Sequence, residues 1–482
     1  MRSDAQPAAN PPAAPQPGLT RHVAAWVAGL RHAQLPEATR QAVRAALLDT
    51  LGVGLYGRAL PWSRAVAQWA AQGRGVGGSA NGGATGWGEA APSLRAADAA
   101  LVNGVAAHAY ELDDYHNAKL HPGAVVIPAV LALGEAVQAD GAALELAIAA
   151  GYEVMIRTGL ALDPSAARLR GWHLTGVCGP LGAAAGCASL LGLDAEHTAW
   201  ALGLAGTQGA GLFAFNADGA MSKRFHAGRA AQAGVMAAEL AALGFTGPTQ
   251  IYEAADGGFL AAHSNVLHPR ALTDGLGESF LLDVTSFKPY SCCGSIHAHV
   301  DAARALPVAS PADLAGRRVR AGVARVVDVQ CGYDYAPGTE MNAQMSLRYC
   351  VAVALLERQA LPAQFVPEKL RDPAIVALAQ RLEIVHDPAL DEIYPAHMVG
   401  WVELERTPGG GDFARQYLLD PSGATTNPNR EAALREKFHQ LLDGVLPTAA
   451  AQVLERMVGD LPGTTAGALA RAMAVPGAGN GG

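Results

Sequence analysis

Two long stretches without a single charged residue, Gly171 to Leu193 and Thr198 to Ala217, set the tightest limit on what this chain can fold into. Each is long enough for a membrane span to be the alternative. Both, however, are built from glycine and alanine where a lipid-facing helix would carry Leu, Ile and Phe. They also contain His173, Thr175, Gln208 and Asn216. The expectation is a pair of helices buried in protein. The composition agrees with extensive burial, because 50% of the 482 residues are hydrophobic and only 16% are charged, against roughly 25% in an average globular chain.

Helical periodicity runs through the first half. Glu37 to Tyr56 places Val43, Leu47, Leu48 and Leu51 three and four residues apart, and Leu94 to Ala107, Gly123 to Val137 and His226 to Leu243 follow the same rule, the last ending at Gly244. After about residue 280 the texture changes. The alternation in Arg318 to Cys331 predicts a strand, and Met398 to Glu405 with Phe413 to Leu419 predicts a hairpin around the glycine-rich turn Pro408 to Gly411. Asp372 to Arg381 reads as a short helix between them. Helix returns at Glu431 to Leu442 and Ala449 to Met457. The predicted fold is therefore mainly α: a large all-helical domain in two pieces, 19–280 and 423–475, interrupted by a smaller α+β lid domain at 281–422. Disordered tails are expected at 1–18 and 476–482. A cleft between two such domains is the usual address of a small-molecule site.

Several function classes drop out. With 35 Lys and Arg against 43 Asp and Glu, a net charge of -8, and no basic run, nucleic acid is not an expected partner. Six cysteines without any C-x-x-C spacing give neither a disulfide framework nor a zinc or iron–sulfur pattern. The Pro/Ala-rich N-terminus has no apolar core of a signal peptide, so a cytoplasmic location is expected. The glycine-rich run between Gly73 and Gly88 follows no strand, which makes it a surface loop and not a dinucleotide loop.

The chemistry concentrates in four places. Glu111, Asp113, Asp114, His116 and His121 fall within eleven residues, just before Pro122 and Gly123 start the next helix. A helix N-terminus beside His121 suits an anion, and an imidazole with a carboxylate neighbour suits proton transfer. A metal reading needs further ligands elsewhere at known spacing, and a capped, solvated loop is the bland alternative. His173 precedes the long Gly/Ala helix, with Thr175 as its expected N-cap. Lys223, Arg224, His226 and Arg229 open an Ala-rich helix in apolar surroundings, a pattern for an anion site. Lys288 and His297 sit at the junction of the two textures, where Lys288 either swings into the cleft or lies on the surface of a hinge. Cations that bind carboxylates, next to a His or Lys base, suit proton removal from a small polycarboxylate, the resulting carbanion being stabilised by the same cations.

These residues resemble the MmgE/PrpD family, which includes 2-methylcitrate dehydratase and cis-aconitate decarboxylase. The resemblance rests on Glu111-Leu-Asp-Asp-x-His with His121-Pro-Gly, on Gly171-Trp-His-x-Thr-Gly, on Lys223 with His226-x-Gly, and on Gly244-Phe-Thr-Gly-Pro. It continues through Lys288-Pro-Tyr, His297, Ala343-Gln-Met-Ser-Leu-Arg-Tyr349, Asn427-Pro and Lys437-Phe, from about residue 20 to 445. It implies a homodimer, no metal or other cofactor, and a cleft site formed by His121, His173, Lys223, Lys288 and Tyr349 with Asp113 and Asp114 nearby. Glu111 stands where many members carry Asp. Tyr115, Asn117 and Cys293 depart from the decarboxylase-like pattern, so 2-methylcitrate-type dehydration is the leading expectation. In it His121 or Lys223 takes the proton, His173 serves the leaving hydroxyl, and Lys288 with Arg224 or Arg229 clamps carboxylates. An epimerase or decarboxylase using the same site is one rival, and a non-catalytic helical scaffold is the other.

Overall fold

The computed structural model describes residues 18–72, 83–91, 93–217, 219–394 and 396–475. Apart from Gly18, the expected tails lie outside the described residues, as does most of the run between Gly73 and Gly88. The two uncharged stretches form the buried helices Leu174–Leu190 and Ala195–Gly206, the second followed by a 3-10 turn at Phe213–Ala217. Among the described residues no helix is long and apolar enough to cross a membrane. Leu174–Leu190 lies at the centre, packed on Gly141–Ala161 and Ser222–Ala242. Glycine permits that closeness: a Cβ on Gly182 would stand 2.5 Å from the Cβ of Met155 and 2.9 Å from the carbonyl oxygen of Gly151.

The other helices follow the periodicity, at Glu37–Gly57, Ala96–Ala107 and Gly123–Ala136. One core unites Leu47, Leu51, Ile148 and Leu181 with Leu434, Phe438, Leu454 and Leu469 from the C-terminal helices Arg430–Leu442, Thr448–Gly459 and Ala466–Ala472. A second core contains Val319, Val323, Tyr349, Phe365 and Leu404, and it also takes in Tyr110 and Leu112 from the helical half.

The molecule is thus mainly α with one small sheet of four strands, β1 (Val319–Val323), β2 (Glu383–His386), β3 (Val399–Glu405) and β4 (Phe413–Leu419), in the order β2-β1-β3-β4. β1 runs parallel to β2, with Ala321 opposite Ile384, and antiparallel to β3, with Ala321 opposite Val402. The β3–β4 hairpin forms as expected. The strand expected over Arg318 to Cys331 stops at Val323, and Arg325–Cys331 is helical. There Val327 and Cys331, one turn apart, are buried while Val326 and Val329 face solvent, so burial of an i, i+4 pair overrides the β preference of the valines.

Candidate active site

The loop between the helices Ala96–Ala107 and Gly123–Ala136 is pinned from both halves of the molecule. Ser291 Oγ at 2.6 Å and Gln344 Nε2 at 3.1 Å donate to the carbonyl of Tyr110. Lys437 Nζ donates to the carbonyl of Leu112, and the backbones of Tyr115 and Ser286 exchange hydrogen bonds of 2.8 and 2.9 Å. Held this way, Tyr110 and Glu111 adopt φ values of 59° and 56° in succession. Left-handed non-glycine residues cost of order 1–3 kcal/mol each and persist where their surroundings over-determine them. The result is a buried Glu111 carboxylate that bridges two lysines: Lys223 Nζ donates to Oε1, and Lys288 Nζ to Oε2 at 2.9 Å. Lys288 is 3% exposed, which removes the surface-hinge alternative.

The charges in this knot are set by opposing effects. Burial pushes Glu111 toward neutrality, but Lys223, Lys288 and His121 together hold its carboxyl well below the usual range. Lys288 also faces Asp113, and although burial opposes its charge, the two carboxylates keep its ammonium protonated beyond the ordinary lysine range. Lys223 goes the other way, because burial and the neighbouring Lys288 outweigh Glu111 and lower it. One lysine is a fixed cation and the other gives up its proton more readily.

Beside the lysines stands a row of imidazoles. The ring centroids of His108 and His121 are 5.1 Å apart, those of His108 and His173 5.7 Å, and those of His173 and His226 5.3 Å. His121 Nδ1 donates to the carbonyl of Asp114 at 2.7 Å and lies 3.4 Å from Asp113 Oδ2. That contact fixes the tautomer, leaving a lone pair on Nε2. Burial, partly offset by Asp113 and reinforced by Lys288, pushes the ring down to about 3, so it is neutral. Burial likewise lowers His173 far below the ordinary histidine range, and its Nδ1 lies 3.1 Å from His226 Nδ1. The helices carrying His108 and His226 approach closely because both are glycine at the crossing: a Cβ on Gly104 would stand 2.7 Å from the Cα of Gly228.

The structure sorts the sequence candidates. Glu111, Asp113, His121, His173, Lys223, Lys288 and His226 converge. Asp114 lies beneath them, its Oδ1 accepting from the Gly123 N–H at 2.9 Å and its Oδ2 from the Tyr152 hydroxyl at 2.8 Å. The helix N-terminus expected to hold a substrate anion is therefore capped from within. Thr175 is no N-cap either: His173 takes that position, and Thr175 Oγ1 accepts from the His121 N–H at 3.2 Å. His116 braces the loop, with Nδ1 accepting from the Ala118 N–H at 3.0 Å. Arg224 lies 4.9 Å over the Trp62 ring, which itself stacks on Tyr110. Arg229 points away, donating to Gln232 at 3.2 Å. Its six-residue offset from Lys223 puts it on another helix face. His297 packs edge-on to Tyr290, with Nε2 on the Cys292 carbonyl at 3.1 Å. Tyr349 lies in the second core against Tyr335 and Phe365, its hydroxyl donating to the Gln364 carbonyl at 2.6 Å. Cys293 is buried beside Cys331 and Lys288, and the Cys331 thiol and Ser295 draw it down to about 6.

His108 is the member of the cluster that the sequence reading passed over. It sits three residues before Glu111, and its Nδ1 donates to Asp113 Oδ2 at 2.6 Å. The available signal was its place at the end of a helix five residues before Asp113, a spacing that the acidic run overshadowed. Among the described residues no three His, Cys, Asp or Glu side chains converge as a metal ion would require.

Residues 21–270 match the MmgE/PrpD N-terminal domain and residues 290–462 the MmgE/PrpD C-terminal domain. A cis-aconitate decarboxylase-like protein, oryM, of Aspergillus oryzae is 29% identical over 92% of this chain and 94% of its own length. The cis-aconitate decarboxylases of Aspergillus terreus and Homo sapiens are 28% and 29% identical, each over 92% of both chains. With both domains matched in order across the buried lysine and histidine cluster, the chain belongs to the MmgE/PrpD family.

Proposed function

We propose that this protein is a cofactor-independent lyase acting on a small tricarboxylate through a carbanion formed next to a carboxylate. The observation that carries the reading is the pairing of Lys288 and Lys223 on Glu111 beside a neutral His121 whose Nε2 is free to accept a proton. A substrate carboxylate entering this cluster meets the fixed charge of Lys288, and charge developing on the adjacent carbon is spread toward the lysines.

The neutral state of His121 favours a hydro-lyase. Its Nε2 takes the proton from carbon, the freed electron pair forms the double bond, and the hydroxyl leaves as water with a proton from an acid in the site. Lys223 suits that acid role better than His173: burial weakens its ammonium, whereas His173 is kept neutral and serves as a hydrogen-bond partner. The second reading is decarboxylation, supported by the relatives named cis-aconitate decarboxylases. Breaking the carbon–carboxylate bond releases carbon dioxide and leaves its electron pair as a carbanion conjugated with the substrate's double bond, and Lys223 then protonates it. A homodimer belongs to the proposal on the strength of the family resemblance.

The test is incubation with 2-methylcitrate and with cis-aconitate in heavy water, following alkene absorbance, carbon dioxide and deuterium uptake together. New alkene without carbon dioxide identifies the hydro-lyase, and carbon dioxide from cis-aconitate the carboxy-lyase. Deuterium exchange without either product points to an epimerase. Silence in all three channels across a panel of di- and tricarboxylates sinks the reading and leaves the scaffold.

A further inference from the structure

His108 is 3% exposed and closes the helix Ala96–Ala107. Its Nδ1 is committed to Asp113 Oδ2 at 2.6 Å, while its Nε2 is buried without a hydrogen-bond partner among the described residues. Buried polar atoms are ordinarily satisfied, and an imidazole retained with one nitrogen orphaned calls for a reason other than packing. The ring lies between those of His121 and His173, 5.1 and 5.7 Å away.

The decisive atom is Asp113 Oδ2. It accepts from His108 at 2.6 Å and stands 3.4 Å from His121 Nδ1, whose own hydrogen bond goes to the Asp114 carbonyl at 2.7 Å. One carboxylate oxygen thus faces two imidazoles, and the shorter contact belongs to His108. From the geometry we infer that His108 is a positioning residue: by occupying Asp113 it keeps that carboxylate from drawing the His121 proton, and so keeps His121 a neutral base. His108 acts like a brake on the Asp113–His121 pair. When His121 becomes an imidazolium during turnover, the same carboxylate, 3.4 Å away, stabilises the new charge, and the share that His108 takes of it limits how far it raises the basicity of the ring.

The other charged and titratable groups around this pair are Lys288, which faces Asp113, Lys223 and Lys288, which face His121, and His173 and His226 along the row of rings. Three further carboxyls face the pair: Glu111, which acts on His121 and is already neutralised by its two lysines, and Asp49 and Asp114, which act on Asp113. Glu111 is tied to Lys223 and Lys288, so Asp113 is the carboxylate whose release would pull His121 upward.

The inference rests on His121 being the base of the proposed reaction, so its test has one arm that needs no substrate. Asparagine places an N–H donor where histidine has Nδ1. Glutamine fills similar space and offers polarity near Nε2, without that donor. The intact protein, labelled with 15N-histidine and with His121 identified by its loss in His121→Gln, is titrated in three forms: wild type, His108→Asn and His108→Gln. In His108→Gln the freed Asp113 should raise the His121 midpoint by about one pH unit or more, and His108→Asn should stay within about 0.3 unit of wild type. With whichever tricarboxylate the wild type turns over, His108→Gln should lose about 10- to 100-fold in kcat with KM within about threefold, and its acid limb should move up with the titration. His108→Asn should recover most of that loss. Equal His121 midpoints in the two variants overturn the coupling, whatever the activities. A shifted midpoint with unchanged kcat overturns the catalytic consequence. If the wild type turns over nothing, the functional proposal has failed, and the titration alone still decides whether His108 restrains Asp113.

Discussion

The two sides of the site loop treat neighbouring carboxyls in opposite ways. On the imidazole side, Asp113 is 1% exposed, and burial alone would neutralise it, yet His108, His121 and Lys288 hold it below the usual carboxylate range. On the helix side, Asp114 is fully buried and receives only neutral donors, Gly123 N–H and the Tyr152 hydroxyl. Burial and the nearby Asp49 and Asp113 push it up to about 8. Depth is the same and charge is not. Partners, and not burial, decide which carboxyl is charged and which is neutral.

The contrast can be broken by measurement. The largest effect should come from the imidazole side: His121→Ala should lower turnover by about 10²- to 10⁴-fold with the fold intact, and a loss below about tenfold would return His121 to a bracing role. Next, Asp113→Asn should cost about 10²-fold in kcat whereas Asp114→Asn, already protonated near neutrality, should stay within about fivefold. Equal losses would dissolve the distinction between the two sides. Lys288→Met should weaken substrate binding and turnover together, by about tenfold or more in each. Protection of residues 270–300 from protease by a tricarboxylate analogue should vanish in the same variant if the smaller half closes over its ligand.

Smaller effects concern stability. Asp114 has a folded value near 8, above the 3.8 of an unperturbed carboxyl. The native state therefore binds the extra proton, and its contribution is full at low pH and is lost as pH rises from about 4 through about 8. Buried histidines act with the opposite sign. His116, His121 and His297, lowered by burial to about 4, 3 and 3, stabilise the fold above about pH 6.5, and that contribution drains away as pH falls toward 3–4. Denaturant midpoints against pH should thus pass through a maximum, and Asp114→Asn should flatten the decline up to about pH 8 and steepen the rise between about pH 4 and 6.5. The least demanding check is sedimentation: the proposed homodimer fails if a species of 49.5 kDa persists at micromolar concentration.

Much of this was written in the sequence in a form that periodicity and composition can read. Helices with a strong apolar spacing were placed within a few residues, and so was the hairpin. β2 was missed because Glu383–His386 is only four residues long, too short to show an alternation. The valines after β1 misled because a β-branched run carries strand preference even where a helix buries one face of it. In the site, residues that stand in unusual local company were found: Glu111, His121, His173, Lys223 and Lys288. His108 was not, since its one signal, a place at a helix end five residues before Asp113, does not say that the imidazole turns onto that carboxylate. Tyr349 and Arg229 stood in suggestive strings, but a hydrogen bond to Gln364 and a helix face decided their surroundings.

The clamp on the Tyr110 carbonyl has a consequence for how this protein changes over time or under selection. Ser291 and Gln344 belong to the smaller half, and the peptide they grip aims Glu111 at lysines on both sides of the cluster. The two halves are therefore not exchangeable modules. Recombining one half with that of a relative would cut the second core at Tyr110 and Leu112 and misaim a single carboxylate, so substitutions on one side of the seam call for partners on the other.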